Sequence, residues 1–167
     1  MIELDRQDFL LLTELQRDAR QSIQQLATAT GMSSTPCWKR VRDMEAAQII
    51  RGYTALVDRE KVGLGLCVIA ELNLSHHNEE DVRQLENAFA ACPEIVSCYS
   101  TTGQADYVIK VLVPDIQAYE RFLHQTLFKL PGVAHVRSSV ALKEVKSETR
   151  LPFRLPPPSE GRKRKAR

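Results

Sequence analysis

The hydrophobic period of this sequence changes once along the chain, and that change limits the possible folds more than any other feature. Up to about residue 47 the apolar residues recur at helical spacing; from residue 66 they fall into short β-rich runs separated by two further helical stretches. A chain that starts with helices and then alternates strand and helix is α+β, with the two patterns in separate domains.

The helical part reads in three pieces. Asp5 can cap the first helix, with Asp8 as the acidic residue three positions on. Asp8, Leu11, Leu12 and Leu15 make its inner stripe, and Asp18-Ala19-Arg20-Gln21 breaks it. A second, short helix runs from about Ser22 to Thr30, with Ile23, Leu26 and Ala27 on one face. Gly31 follows, where a tight turn needs positive φ. Ser33 caps a third helix over roughly Ser34 to Ala47, with Pro36 tolerated in its first turn. Residues 49–58 (IIRGYTALVD) predict a strand or wing, and residues 59–65 (REKVGLG) a hinge.

The remainder predicts strands at 66–74, 95–101, 107–113 and 133–146, with Ile69, Glu71 and Asn73 sharing one phase of the first. Helices are expected at 79–91, with Val82, Leu85 and Phe89 inward, and from Pro114-Asp115 to about Leu130. The order is β-α-β-β-α-β, a split βαβ or ferredoxin-like arrangement. Residues 156–167 (PPPSEGRKRKAR) lack packing residues and are expected to be disordered. The expected organisation is residues 1–62, 63–153 and a basic tail at 154–167.

Several function classes are disfavoured. No apolar run approaches the ~20 residues of a membrane span, and the acidic N-terminus does not resemble a signal peptide. A cytoplasmic protein without a membrane partner is expected. Cys37, Cys67, Cys92 and Cys98 are spaced too irregularly for a zinc site or disulfide framework. The His76-His77 pair lacks a third regularly spaced ligand, so neither metal nor cofactor is expected. No triad, paired-carboxylate site or phosphate loop points to an enzyme.

Charge is uneven. The net charge of +2 divides into −1 over residues 1–60, −3 over 61–149 and +6 over 150–167. A nucleic-acid role must therefore rest on local geometry. Ala27, Gly31 and Cys37 sit at offsets suited to a helix-turn-helix within about residues 22–41. At 100° per residue, Cys37, Val41 and Met44 form the inner face of the third helix. Thr35, Trp38, Lys39 and Arg42 lie opposite, with Ser34 leading. Hydroxyls and cations in that pattern suit contacts to base edges in the major groove. Arg40 lies nearer the core edge, suited either to a phosphate or to an internal salt bridge.

These stretches, with VGLGL, TGQADYVIKV, LPGVAHVRSSVALKEVK and ETRLPF, resemble the Lrp/AsnC (feast/famine) transcription regulators over about residues 3–153. The TPCWKRV stretch is most similar to the leucine- and cysteine-responsive branch. The resemblance implies a winged helix-turn-helix joined to a ferredoxin-like (RAM/ACT-like) sandwich. It implies homodimers, often assembled into octamers, that bind palindromic double-stranded operators. It further implies an amino-acid effector bound between dimers, tuning assembly or DNA affinity, and a cytoplasmic, nucleoid-associated regulator. Gly103, Gln104, Ala105, Asp106 and Tyr107 match the family's effector turn. Thr101 and Thr102 flank it, and Ser138 and Ser139 match a hydroxyl pair reaching in from a neighbouring subunit.

Backbone N–H groups of a glycine turn can hold a carboxylate, and Asp106 can meet an ammonium group. The competing role is a plain hairpin turn, with Asp106 closing an Asx-turn and Tyr107 packed in the sheet. The turn carries the small Ala105 where many relatives have a charged or aromatic residue. An architectural DNA-wrapping protein, helped by its basic tail, and an amino-acid sensor acting on an enzyme are the competing functions.

Overall fold

The computed structural model describes residues 3–76 and 78–157. The chain folds as two compact units: residues up to Ala55 with Ser147 onward, and Leu56–Lys146. The expected boundary is at 62/63, whereas these units divide after Ala55, with residues 59–65 inside the second. The Leu64 N–H donates to the Arg59 carbonyl at 2.8 Å, and the Arg59 guanidinium returns to the Leu64 and Gly65 carbonyls at 2.9 and 3.0 Å. A turn closed on itself in this way belongs to the second unit.

The first unit is three helices, α1 (Arg6–Arg17), α2 (Ile23–Thr30) and α3 (Ser34–Ala46). Asp5 caps α1 in a full capping box: its carboxylate accepts from the Gln7 and Asp8 amides, and Asp8 accepts from the Asp5 amide. Ser22 and Gln25 make the same exchange at α2. Gly31 ends α2 at φ 70°, and the Met32 N–H reaches back to the Ala27 carbonyl at 2.8 Å. Leu11, Leu12, Leu26, Ala27, Cys37, Val41 and Met44 close one core. The Ser33 hydroxyl makes no cap bond, unlike the expectation.

Of the strand or wing expected over 49–58, the strand does not form: residues 51–58 enter none. Tyr53, Leu56 and Val57 are exposed there. A lone β-rich segment has no ladder to join within one chain, and strand propensity measures packing against neighbours. Leu151 and Phe153, expected at the end of the second domain, pack instead within the first unit. The Phe153 ring packs edge-to-face on Phe9 at 5.5 Å, and the Leu151 N–H donates to Gln16 Oε1 at 2.7 Å. Residues 158–167, which hold most of the expected basic tail, lie outside the described residues, as does His77.

The second unit is β1 (Leu66–Leu74), α4 (Glu79–Ala91), β2 (Ile95–Ser100), β3 (Tyr107–Val113), α5 (Ile116–Gln125) and β4 (Val133–Val140). The sheet is antiparallel in the order β2-β3-β1-β4. α5 stops at Gln125 and a 3-10 turn, Leu127–Lys129, completes the expected helix. β4 stops at Val140, short of 146: its register on β1 ends at Val68↔Val140, and the Ala141 amide adds one further bond, to the Cys67 carbonyl at 2.9 Å.

Both helices cover one face of this sheet. Val68, Ala70, Leu72, Tyr107, Ile109 and Val111 meet Leu85, Phe89, Tyr119, Phe122 and Leu127. The alternate residues form a second face that neither helix covers. It carries Ile69, Glu71, Val108, Lys110, Leu112 and Tyr99, placed there by the registers Ile69↔Lys110, Glu71↔Val108 and Tyr99↔Val108. Among the described residues no helix is long and apolar enough to cross a membrane.

Candidate nucleic-acid interface and effector turn

α3 separates its two faces as its sequence spacing requires. Cys37, Val41 and Met44 are buried, while Ser34, Thr35, Trp38, Lys39 and Arg42 are exposed. Trp38 remains 53% exposed, so its ring contributes little to the core of its own unit. Cys37 anchors the inner face: its thiol lies 3.8 Å from the Ile23 carbonyl of α2, and burial pushes its pKa up. Arg42 makes one 3.4 Å pair with Glu45 on the same helix, a weak exposed contact. Lys39 has no ion pair among the described residues.

Arg40 takes the internal one of its two expected roles. Its guanidinium meets Asp8 at 2.7 Å and Asp5 at 2.8 Å, joining α3 to the start of α1. The hydrogen bond that Arg40 donates to Asp8 raises the Arg40 pKa. For Asp5, burial pushes upward, but the Asp8 amide and Arg40 outweigh it and the pKa falls below its ordinary value. Asp8, only 7% exposed, serves both the capping box and this ion pair. The unit's slight acidity therefore resides partly in carboxylates that neutralise a buried-side arginine, away from the outer face of α3.

The 101–107 turn, where the effector residues are expected, is tied down by its own chain. The Asp106 amide donates to the Leu72 carbonyl at 2.9 Å, and its carboxylate accepts from the Leu74 amide at 2.7 Å. The Asn73 side chain donates to the Gln104 carbonyl at 2.6 Å. The Thr101 hydroxyl donates to the Ala105 carbonyl, and the Thr101 amide to the Asp106 carbonyl. Ala105 is buried; Thr101, Thr102, Gly103 and Gln104 are exposed. A Cβ at Gly103 would meet nothing within 4 Å.

Tyr107 points under the helices rather than out of the turn. Its ring meets Phe89 edge-to-face at 5.7 Å, and its hydroxyl donates to Glu86 at 2.7 Å. It lines a groove of about 380 Å³ between α4 and β2, with Glu86, Phe89, Cys98 and Ser100. Burial, then the Glu86 carboxylate, raises its pKa from 10.0 to about 12. The neutral phenol is the form the fold favours, so its stabilisation is present below pH 10 and is lost as pH rises from 10 towards 12. In an absorbance titration of the phenolates, Glu86→Gln is expected to move one tyrosine down from about 12 while Tyr53, also near 12, stays.

Ser138 and Ser139 do not meet the turn within this chain. They pair with Ala70 and Ile69, whereas the turn sits over Leu72–Leu74 with β1 between it and β4. Successive strand residues point to opposite faces. The Ser138 hydroxyl is 2.7 Å from the Tyr119 hydroxyl beneath α5, and Ser139 lies on the face neither helix covers. Sequence reasoning missed Asn73, Leu74 and Glu86 as supports of the turn. Only Asn73, a polar residue at the end of an apolar strand, carried any signal. No group of three or more His, Cys, Asp or Glu suited to a metal occurs among the described residues.

Known proteins match both units. A family model described as "Winged helix-turn-helix DNA-binding" matches residues 4–51, and one described as "Lrp/AsnC ligand binding domain" matches residues 67–151. The leucine-responsive regulatory protein of Klebsiella pneumoniae is 40% identical over 149 residues, covering 89% of this chain and 91% of that protein. A transcriptional regulator from Neisseria meningitidis, solved in complex with L-methionine, superposes with a TM-score of 0.84 at 32% identity, covering 90% of this chain and 97% of that one. An AsnC family transcriptional regulator from Agrobacterium tumefaciens gives 0.85 at 34% identity, covering 89% and 97%. These relatives are transcriptional regulators rather than enzymes. With its three-helix reading unit and its four-stranded effector unit both matched, the chain belongs to the Lrp/AsnC family of DNA-binding transcriptional regulators.

Proposed function

We propose that this regulator reads operator DNA with the outer face of α3 and that a small amino acid, bound at the 101–106 turn, sets how well it does so. Ser34, Thr35, Trp38, Lys39 and Arg42 enter the major groove. Arg40 holds α3 on α1 and makes no base contact. The observation supporting this division is the two-faced α3: its inner side chains are spent on packing, while the outer ones have almost no partners in their own chain.

The effector amino acid belongs to the apolar class, as leucine or methionine do. Thr102, Gly103 and Gln104 take its polar head group, while Thr101 holds the turn through the Ala105 and Asp106 carbonyls. Asp106 acts as a support, because the Leu74 amide already holds its carboxylate. Nothing in this chain requires glycine at 103: its φ lies outside the left-handed region and a Cβ there has free space. A larger side chain there would instead obstruct what approaches the turn from outside. Ser139 of a neighbouring subunit completes the site, and Ser138 remains with Tyr119.

Self-association proceeds through the sheet face that neither helix covers, giving homodimers and, from them, octamers. Effector bound between dimers shifts that assembly. The operator is palindromic, with half-sites about one helical turn, ~34 Å, apart. The protein works in the cytoplasm at the nucleoid.

The test is a thermal-shift screen of the twenty amino acids on the wild type and Gly103→Val. Wild type is expected to gain stability with one or a few apolar amino acids, by about 2.7 kcal/mol at a concentration 100-fold above Kd. Gly103→Val is expected to melt like the wild type without ligand and to lose that gain. A ligand shift that survives Gly103→Val removes the turn from the site.

A further inference from the structure

Trp38 is the single tryptophan of the sequence, and it is the large apolar side chain that α3 leaves in solvent. Cys37, Val41 and Met44 are almost wholly buried on the inner face, whereas Trp38 keeps 53% of its surface exposed. Its ring is not part of the core that those three residues help to build. Among the described residues it packs on no other ring, and its indole N–H donates to no acceptor. Packing within the chain therefore does not account for an indole at this position. A partner that covers the ring gains the apolar area it now exposes.

The neighbouring side chains define that partner. At 100° per residue Trp38 falls between Ser34 and Arg42, with Thr35 and Lys39 beyond Arg42. All four are exposed. An apolar protein surface would have to desolvate these hydroxyls and cations around one ring. A DNA duplex meets them with phosphates and base-edge acceptors. Trp38 also lies in the N-terminal half of α3 (Ser34–Ala46), the part of a recognition helix that reaches base edges. The bases offer one apolar group in the major groove, the C5-methyl of thymine. That methyl is the group an indole can bury there.

We infer that Trp38 is a specificity-determining residue, its indole packing on the C5-methyl of a thymine in each operator half-site. This names the base feature that the ring selects, and it rests on the DNA-reading role of α3. The selection is apolar, so it acts beside the hydrogen-bonding contacts of Lys39 and Arg42 and does not duplicate them. The methyl is comparable to one buried CH2 group. Removing it is expected to weaken binding about fourfold at one half-site and about 15-fold across both halves of a palindrome.

The test replaces each thymine of a duplex carrying the native upstream region, one at a time, with deoxyuridine, which keeps the base pairing and removes only the methyl. Affinities are measured for the wild type, Trp38→Ala and Trp38→Phe, whose melting temperatures are expected to stay close together because the ring lies outside the core. The wild type is expected to lose about fourfold at one thymine of each half-site. Trp38→Ala is expected to bind the thymine and uracil duplexes equally there, and Trp38→Phe, an apolar ring without the N–H, to keep part of the preference. Cytosine at the same position is expected to weaken wild-type binding, and 5-methylcytosine, which returns the methyl, to recover part of the loss. As the single tryptophan, Trp38 also reports its own contact: its emission is expected to move to shorter wavelength as the duplex displaces water from the ring.

A wild type that responds to no deoxyuridine, or a thymine preference that survives Trp38→Ala, overturns the inference; if Lys39→Ala or Arg42→Ala still weakens binding, α3 remains the reading helix. Equal losses in Trp38→Phe and Trp38→Ala, with no response to deoxyuridine, give the contact to the indole N–H and overturn it as well. Operator binding unchanged in Trp38→Ala, Lys39→Ala and Arg42→Ala alike overturns this inference and the reading role of α3 together.

Discussion

Replacing Lys39 and Arg42 together with alanine is expected to abolish operator recognition while leaving the melting temperature almost unchanged. Both side chains are exposed on the outer face of α3. Arg42 gives up only a long exposed pair with Glu45, and such pairs are worth about 0–1 kcal/mol. A cation that reads a base edge is worth about 1–3 kcal/mol of discrimination, so the pair together costs about 2–6 kcal/mol, at least a 30-fold loss of affinity. The single variants distinguish the two possible kinds of contact. A base contact relaxes specificity at one operator position, whereas a phosphate contact weakens all sequences and lowers the salt slope by about 1. Unchanged mobility shifts for the double variant would show that this face does not meet DNA.

Arg40→Met is expected to have the opposite profile: a large loss of stability, with DNA binding at low temperature nearly intact. Removing the guanidinium leaves the buried Asp8 carboxylate without its cation. Breaking a buried pair from one side costs about 3–5 kcal/mol; with Arg40 still one-third exposed, about 2–3 kcal/mol is expected here. The double variant Asp8→Asn, Arg40→Met removes both charges and is expected to recover part of that loss, which a denaturation-based double-mutant cycle measures. If Arg40→Met melts like the wild type but loses operator affinity, Arg40 is a phosphate contact and the internal pair is incidental. The same cluster has a pH signature. Asp5 has a lowered pKa, so its stabilisation is present above its ordinary value of 3.8 and is lost as pH falls through the lower folded value.

These opposed expectations concern neighbours in one sequence, Lys39 and Arg40, and they show what a helical wheel resolves. Spacing alone separated Cys37, Val41 and Met44 from Thr35, Trp38, Lys39 and Arg42, because a 3.6-residue period places each residue on a face without knowledge of its surroundings. It left Arg40 on the border between them. Its role was decided by Asp5 and Asp8, which lie more than thirty positions away and meet it only when α1 crosses α3. Ser138 and Ser139 repeat the lesson in the sheet. As neighbours in sequence they read as a pair, and the alternation of a strand sends one under α5 and the other to the opposite face.

Local chemistry in the chain was enough to specify α1 to α5, the four strands and their βαββαβ order. Capping residues, turn glycines and hydrophobic period act within a few positions, and here they agree with the final fold. Three features needed the tertiary structure. The 49–58 stretch has strand composition without a strand, because a ladder requires a partner that this chain does not supply. The 59–65 stretch has hinge composition but folds as a turn inside the second unit, because Arg59 closes it through the Leu64 and Gly65 carbonyls. Residues 151–153 read as the end of the second domain and instead pack in the first unit, because Phe153 finds Phe9 across the length of the chain. Each depends on contacts between residues remote in sequence or absent from the chain, and no local pattern encodes whether such a partner will be there.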